Sequence, residues 1–399
     1  MNDHDRMFDA LAARETEWQA LLVRWAEINS GFDHAAGLAR MLEALEHAFV
    51  PLPARSTRLA PAHGALSPTL SVRCRPEAPL QILLSGHYDT VFGANDAFQH
   101  CRPLAGDCIN GPGLADMKGG IAVMLAALTA FETHPAAAQI GWEVLLNADE
   151  EDGSHGSREH LMAAARRHHL GLVFEPSPQG DDVVHSRKGT ATLRITAQGR
   201  AAHSSQARTE GRNAVVALAE FLLAAHGLNR EIDDIVLNVA NCAGGGAVNV
   251  VPDSAHAELH LRCSQIKDGQ RAITRLHEIA VEISSREGFG MKVEGGFNRP
   301  PMAAQADVLP WLKILQSCGR ELGQTVNACA VNSASDANFF ASIGLPTIDG
   351  LGVDGDEIHS DREFYRVASL GRRARLVTSL LARLAEGTPP HPALRTLSP

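Results

Sequence analysis

Three short apolar runs in the first half of the chain each end abruptly in a histidine or an acid, and this arrangement restricts the fold more than any other feature. Residues 80–86 lead into His87, residues 140–148 into Asp149, Glu150, Glu151 and Asp152, and residues 171–174 into Glu175. Largely apolar runs of this length, bounded by glycine and polar residues, read as strands buried on both faces. Such strands belong to an open α/β sheet covered by helices, where functional groups collect beyond the carboxyl ends of the strands.

Each run delivers residues with a definite chemistry. His87 and Asp89 are two apart, so on an extended backbone they share a face, and Asp89 can accept from the imidazole nitrogen that faces away from a metal. The glycine-rich stretch 111–120 (GPGLADMKGG) opens a helical pattern over 121–131 and puts Asp116 where a helix N-cap belongs. Its flanking glycines permit close backbone approach, no capping-box glutamate follows, and a carboxylate with two oxygens can bridge two cations. The four acids 149–152 repel one another unless a cation offsets their charge. Neighbouring glutamates at a strand end diverge, so one can ligate while the other faces a water to be activated. Far downstream, His359 lies between Glu357 and Asp361. Taken singly, these motifs are ordinary: a polar loop, a plain helix cap, a solvated acidic turn, a surface histidine. Taken together, His87, Asp116, Glu151, Glu175 and His359 form a set able to hold two divalent cations.

In combination and order, the motifs at 28–31 (INSG), 86–91 (GHYDTV), 111–120, 147–157, 174–176 (FEP), 199–204 and 359–361 (HSD) resemble the co-catalytic zinc hydrolases. That family includes glutamate carboxypeptidase, acetylornithine deacetylase, succinyl-diaminopimelate desuccinylase and the aminoacylases, and the glutamate carboxypeptidase branch looks nearest. The resemblance runs over nearly the whole chain, with no departure at the ligand positions. It implies one metal site completed by His87 and Glu175, another by Glu151 and His359, Asp116 bridging the pair, Glu150 as general base and Asp89 orienting His87. It also implies a cis peptide between Asp116 and Met117, an oxyanion-stabilising His203 reaching the partner subunit's active site, and substrate-carboxylate binding by Asn249, Arg262 and Arg299. The implied cofactor is a pair of zinc ions, with cobalt or manganese able to fit a similar ligand set. The implied reaction is hydrolysis of an amide or peptide bond next to a free carboxylate, in the manner of a metallopeptidase acting as a carboxypeptidase. An N-acyl-amino-acid or acetylornithine-type deacylase would use the same metals with a different side-chain pocket. A catalytically silent relative serving as a ligand sensor or interaction partner would have no need of Glu150 beside intact ligands.

Residues 189–299 differ in character from what surrounds them. Alternating strand patterns at 190–197, 235–240, 255–263 and 291–297 are interleaved with helical patterns at 211–228 and 267–286, an order that packs two helices on one side of a four-stranded sheet. The expected organisation is a catalytic domain (1–188 and 300–386) with a mixed central sheet, interrupted by a smaller α+β, ferredoxin-like lid and dimerisation domain (189–299), then a proline-rich tail from 387 to 399 expected to be disordered. Further helices are expected at 16–26, 35–49, 307–322, 336–342 and 367–384. The lid predicts a homodimer and an opening motion that admits substrate.

A formal charge of −10 argues against nucleic acid or an anionic membrane as partner. The seven cysteines are widely spread with no C-x-x-C pair, as reduced residues would be. With a polar, acidic start and neither a signal peptide nor a membrane span in the pattern, a cytoplasmic enzyme acting on a small N-acyl amino acid or peptide is the expectation.

Overall fold

The three apolar runs are the strands Leu80–His87, Ile140–Asn147 and Leu170–Val173, and every residue in them is buried. They lie parallel at the centre of a six-stranded sheet, with Leu80–His87 between the other two. The computed structural model describes residues 3–387, 392 and 394–397, so the expected tail lies largely outside the described residues. Beyond Leu170–Val173 the sheet is extended by the parallel strand Thr347–Ile348, and on the other side by the antiparallel strands Thr69–Cys74 and Arg55–Leu59. The central sheet is therefore mixed. Its outermost strand carries Arg55 and Arg58 and is mostly exposed, which discourages pairing with another chain along that edge.

Register decides where the chemistry goes. His87 pairs with Asn147 and Ser85 with Val173. The three strands end level, so the segments carrying Glu150, Glu151 and Glu175 leave the sheet at the same edge as His87.

The sheet is covered by helices whose apolar content matches their burial. In Gly119–Phe131 all residues but Thr129 are buried. The longer segment Leu114–Phe131 is apolar enough to cross a membrane by length and composition, yet 94% of it is buried in this core. Helix Val367–Glu386 lies against it, with Thr378 Oγ1 3.4 Å from the Ala127 carbonyl. The helices expected from the sequence are Glu15–Ala26, Ala35–Phe49, Leu309–Glu321, Ala337–Ser342 and Val367–Glu386. An additional helix, Asp3–Ala13, occupies the stretch read as a polar start. Only Met7 and Leu11, one turn apart, are buried in it, too faint a pattern to register.

The expectation that Asp116 sits at a helix N-cap is corrected. The helix begins at Gly119, and Asp116 has extended dihedrals (φ −113°, ψ 96°) three residues before it. Its carboxylate is thereby turned away from the helix amides. The Asp116–Met117 peptide is cis.

The described residues divide into two compact units, one formed by the chain up to His185, Ala304–Val331 and the chain from Ser335 on, the other by Ser186–Ala303 and Asn332–Ala334. The smaller unit is an antiparallel sheet in the order Ile235–Gly244, Ser254–Cys263, Gly189–Gln198, Gly290–Arg299. Helices Ala214–Glu231 and Ile266–Ser284 share one core with it. The β-α-β-β-α-β sequence with this strand order is the ferredoxin-like arrangement. Burial alternates along Gly189–Gln198, with Ala191, Leu193, Ile195 and Ala197 facing the helices. Asn213 Oδ1 accepts from the amides of Val215 (3.0 Å) and Val216 (3.1 Å), and this cap starts the first helix three residues after the apolar pattern does.

Candidate metal centre

Within the larger unit, the five candidate ligands come together at the level strand ends. His87 Nε2 lies 3.1 Å from Asp116 Oδ1 and 3.8 Å from Glu175 Oε1. His359 Nε2 lies 3.2 Å from Asp116 Oδ2 and 3.2 Å from Glu151 Oε2. The two oxygens of Asp116 thus face two different histidines, each of which also faces a second carboxylate. A tetrahedral cation about 2.0–2.2 Å from nitrogen and oxygen donors separates neighbouring ligand atoms by roughly 3.3 Å. Three of the spacings, at 3.1–3.2 Å, lie near that edge length and the fourth, His87 to Glu175 at 3.8 Å, is wider, so the donor set suits two cations with a small inward shift of Glu175.

The backbone explains how Asp116 is delivered. Gly113 takes φ 68°, a left-handed conformation that reverses the chain ahead of the turn. A Cβ on Gly120 would meet the Phe174 carbonyl at 1.9 Å, so only glycine lets the helix start press against the strand end before Glu175. Lys118 is buried and donates from Nζ to the carbonyls of Trp25 (3.1 Å) and Ile28 (2.9 Å), anchoring the turn to the end of helix Glu15–Ala26.

The side chains of the acidic run have different surroundings. Asp149 Oδ2 accepts from the amides of Gly156 (2.6 Å) and Ser157 (3.2 Å) and so shapes the loop. Glu151 faces His359, and the neighbouring Glu150 is buried close enough to Glu175 for its charge to act on that carboxyl. Asp89, fully buried, accepts the Glu151 amide at Oδ2 (2.9 Å). Nδ1 of His87 lies 3.1 Å from the Asp89 main-chain oxygen and 3.2 Å from its Oδ1. With acceptors alone around Nδ1, that nitrogen carries a proton, and a cation lying between Nε2 and the carboxylates of Asp116 and Glu175 would meet the Nε2 lone pair.

The electrostatics describe a site that demands positive charge. Burial pushes Glu175 well above the ordinary carboxyl range, and the Asp116 charge pushes it further. Glu151 rises for the same two reasons. Burial acts to lower His87, yet its contacts with Asp116 and Asp89 carry it well above the usual imidazole value. Hydrogen bonds donated to the carboxylates of Asp116 and Glu151 raise His359 to about 10. Without a cation, protons must take its place among these carboxylates.

Residues 83–383 match the sequence pattern of Peptidase family M20/M25/M40. The chain belongs to this family. It is accordingly a metal-binding hydrolase, as the motif order had indicated. It is 27% identical over 384 residues to carboxypeptidase G2 of Pseudomonas sp. (strain RS-16), covering 96% of this chain and 92% of the relative. It is 30% identical over 312 residues to the succinyl-diaminopimelate desuccinylase of Halorhodospira halophila, covering 74% and 80%. Among solved structures, the aminopeptidase PepT of Bacillus cereus superposes with TM-score 0.77 at 20% identity, over 93% of this chain and 99% of that one. The YXEP protein of Bacillus subtilis, described as a dinuclear metal binding peptidase from the M20 family, superposes with TM-score 0.72 at 12% identity, over 94% and 99%. These two likenesses confirm the fold.

The remaining sequence candidates of this M20 chain lie in the smaller unit. His203 is exposed, and its Nδ1 accepts from the Ser205 amide at 3.3 Å. Its ring proton is therefore on Nε2, available to donate. Asn249 is exposed, and its main-chain oxygen accepts from the Ser204 amide at 2.9 Å, which ties its loop to that of His203. Arg262 and Arg299 both register opposite Thr190, one on each neighbouring strand. Arg262 donates to the Asn332 carbonyl at 2.7 Å, and Arg299 is buried.

Two features escaped the sequence reading. Glu363 is fully buried and receives three backbone amides of the Asp116 turn. Burial and the nearby Asp116 charge raise its carboxyl to about 7. Its spacing of four from His359 was the available signal. The second feature is the group His4, His134 and Glu386, whose ligand atoms are close enough to hold a cation. His134 Nδ1, however, already accepts the Ala136 amide (3.2 Å), which puts its proton on Nε2 facing Glu386 at 3.3 Å. This group is a hydrogen-bonded cluster.

Proposed function

We propose that this M20 enzyme hydrolyses the amide bond that joins an acyl or peptidyl group to an amino acid with a free carboxylate, with glutamate as the first candidate for that amino acid. The observation that carries the reading is the division of Asp116 between His87 and His359. In it, His87 and Glu175 would hold one zinc ion and Glu151 and His359 the other, with Asp116 shared between them; cobalt or manganese would suit the same donors. When bound, the cations supply a Lewis acid for the scissile carbonyl and make an attacking water more acidic. Glu150 takes the proton of that water as its oxygen bonds to the amide carbon, then passes it to the departing amine as the carbon–nitrogen bond breaks. Asp89 keeps the proton of His87 on Nδ1 throughout.

His203 of a second copy donates its outward Nε2 proton to the oxyanion, which makes the enzyme a homodimer in this reading. Arg262 and Arg299, aligned on one row of the small sheet, offer planar guanidinium groups to the substrate carboxylate, with Asn249 as a further polar contact. Seven widely spread cysteines with no C-x-x-C pair suit a reducing, cytoplasmic setting.

A second reading, an N-acyl-amino-acid deacylase of the acetylornithine or desuccinylase kind, is favoured by the succinyl-diaminopimelate desuccinylase relatives. Both readings are tested by assaying the zinc-loaded protein against N-acyl amino acids and peptides ending in glutamate. Preferential release of C-terminal glutamate supports the first reading, and preferential deacylation of N-acetyl or N-succinyl diamino acids supports the second. Turnover of none would overturn both and favour a silent, ligand-sensing relative.

A further inference from the structure

Glu363 joins two parts of the candidate centre that are far apart in sequence. Its Oε1 accepts from the amides of Ala115 (2.8 Å) and Asp116 (3.1 Å), and its Oε2 from that of Gly113 (3.1 Å). Its main-chain oxygen accepts from the Gly111 amide (3.2 Å) and from Asn110 Nδ2 (2.7 Å). From this anchored point the chain runs back four residues to His359, on an exposed loop in which Glu357 and His359 both take left-handed dihedrals. The loop is closed by the Glu363 amide, which donates to the Ser360 carbonyl at 3.1 Å. Through one buried side chain, the turn presenting Asp116 and the loop presenting His359 are held in fixed register. His87 and Glu175 need no such tie, because each leaves the end of a buried central strand.

We propose that Glu363 is a positioning residue that sets Asp116 against His359, so that the cation held by His359 and Glu151 depends on it far more than the cation held by His87 and Glu175. The proposal rests on the reading of Asp116 and His359 as ligands. A carboxylate is suited to the task because it accepts three amide protons while donating none. In Glu363→Gln an NH₂ group must face at least one of those N–H groups, which displaces the turn without altering the size of the side chain.

The test is a competition titration of the metal-free protein with zinc against a chromophoric chelator, run on the native chain, Glu363→Gln and the reference variant His359→Ala. The native chain is expected to bind two ions. Glu363→Gln should bind the ion at His359 and Glu151, which loses support for both Asp116 and His359, roughly 10–100-fold more weakly, the size expected when a residue supporting a ligand is changed. Binding of the ion at His87 and Glu175, which loses support for Asp116 alone, should weaken by clearly less. Its isotherm should approach that of His359→Ala. Native-like binding of both ions by Glu363→Gln would overturn the proposal, and so would equal weakening of both, the mark of a general structural role. A native chain that binds fewer than two ions would instead overturn the ligand reading beneath it. If the glutamine variant does not fold, Glu363→Asp, which keeps the charge but withdraws it by one methylene, is judged by the same unequal or equal weakening.

Discussion

Replacing Asp89 with asparagine perturbs the candidate centre without touching a ligand. The native carboxylate has two duties, the Glu151 amide at 2.9 Å on Oδ2 and His87 Nδ1 at 3.2 Å from Oδ1. An asparagine can keep the Glu151 amide on its oxygen only by turning its NH₂ toward Nδ1, which already carries a proton. Two donors then face each other in a fully buried site, and leaving a buried donor unsatisfied costs about 1–3 kcal/mol. The Asp89 main-chain oxygen, 3.1 Å from Nδ1, remains as an acceptor and holds the cost to the lower half of that range. At about 1.4 kcal/mol per decade, a loss of about 1–2 kcal/mol weakens the ion at His87 roughly 5–30-fold. Zinc titration of Asp89→Asn against a chromophoric chelator measures this directly and needs no substrate. Affinity within twofold of native at both positions would refute the claim that Asp89 fixes the His87 ring.

Two further outcomes are expected. Glu150→Gln should lower turnover of whichever substrate the panel identifies by roughly 10²–10⁴-fold while two ions remain bound, and turnover near native would remove Glu150 from its role as general base. The buried His168, lowered to about 4 by desolvation, remains neutral in the folded protein where the unfolded chain takes up a proton. Its contribution is complete above the unfolded value of about 6.5 and is lost as pH falls toward 4, at most about 3 kcal/mol. Denaturant titrations across that window should show a shallower fall in stability for His168→Gln than for the native chain, and identical slopes would contradict the assignment.

Much of the centre was legible because ligands follow strands that are largely apolar. The runs before His87, Glu150 and Glu175 carry only isolated polar residues, Gln81, Ser85, Glu143 and Asn147, and no regular alternation, which identified them as buried, and parallel register then brought their ends level. Asp116 was legible as a residue, and its cis peptide came from the family resemblance, but its place ahead of the helix was not legible: a glycine-rich approach to a helix reads as a cap, whereas in the observed turn Glu363, some 250 residues later, accepts its amides. Such long-range polar contacts leave no periodicity in a sequence. The same holds for the short strands Cys108–Asn110 and Phe364–Arg366, which pair with each other and carry too few residues for an alternating pattern to appear. Helix Asp3–Ala13 was missed because two buried side chains in eleven residues are a thin signal.

The central claim is that one carboxylate serves two cations. Anomalous diffraction from crystals of the zinc-loaded protein tests it most directly. The account predicts two peaks, one among His87, Glu175 and Asp116 and the other among His359, Glu151 and Asp116, with the two Asp116 oxygens on different ions. A single peak, or two peaks with Asp116 bound to one ion alone, would contradict it.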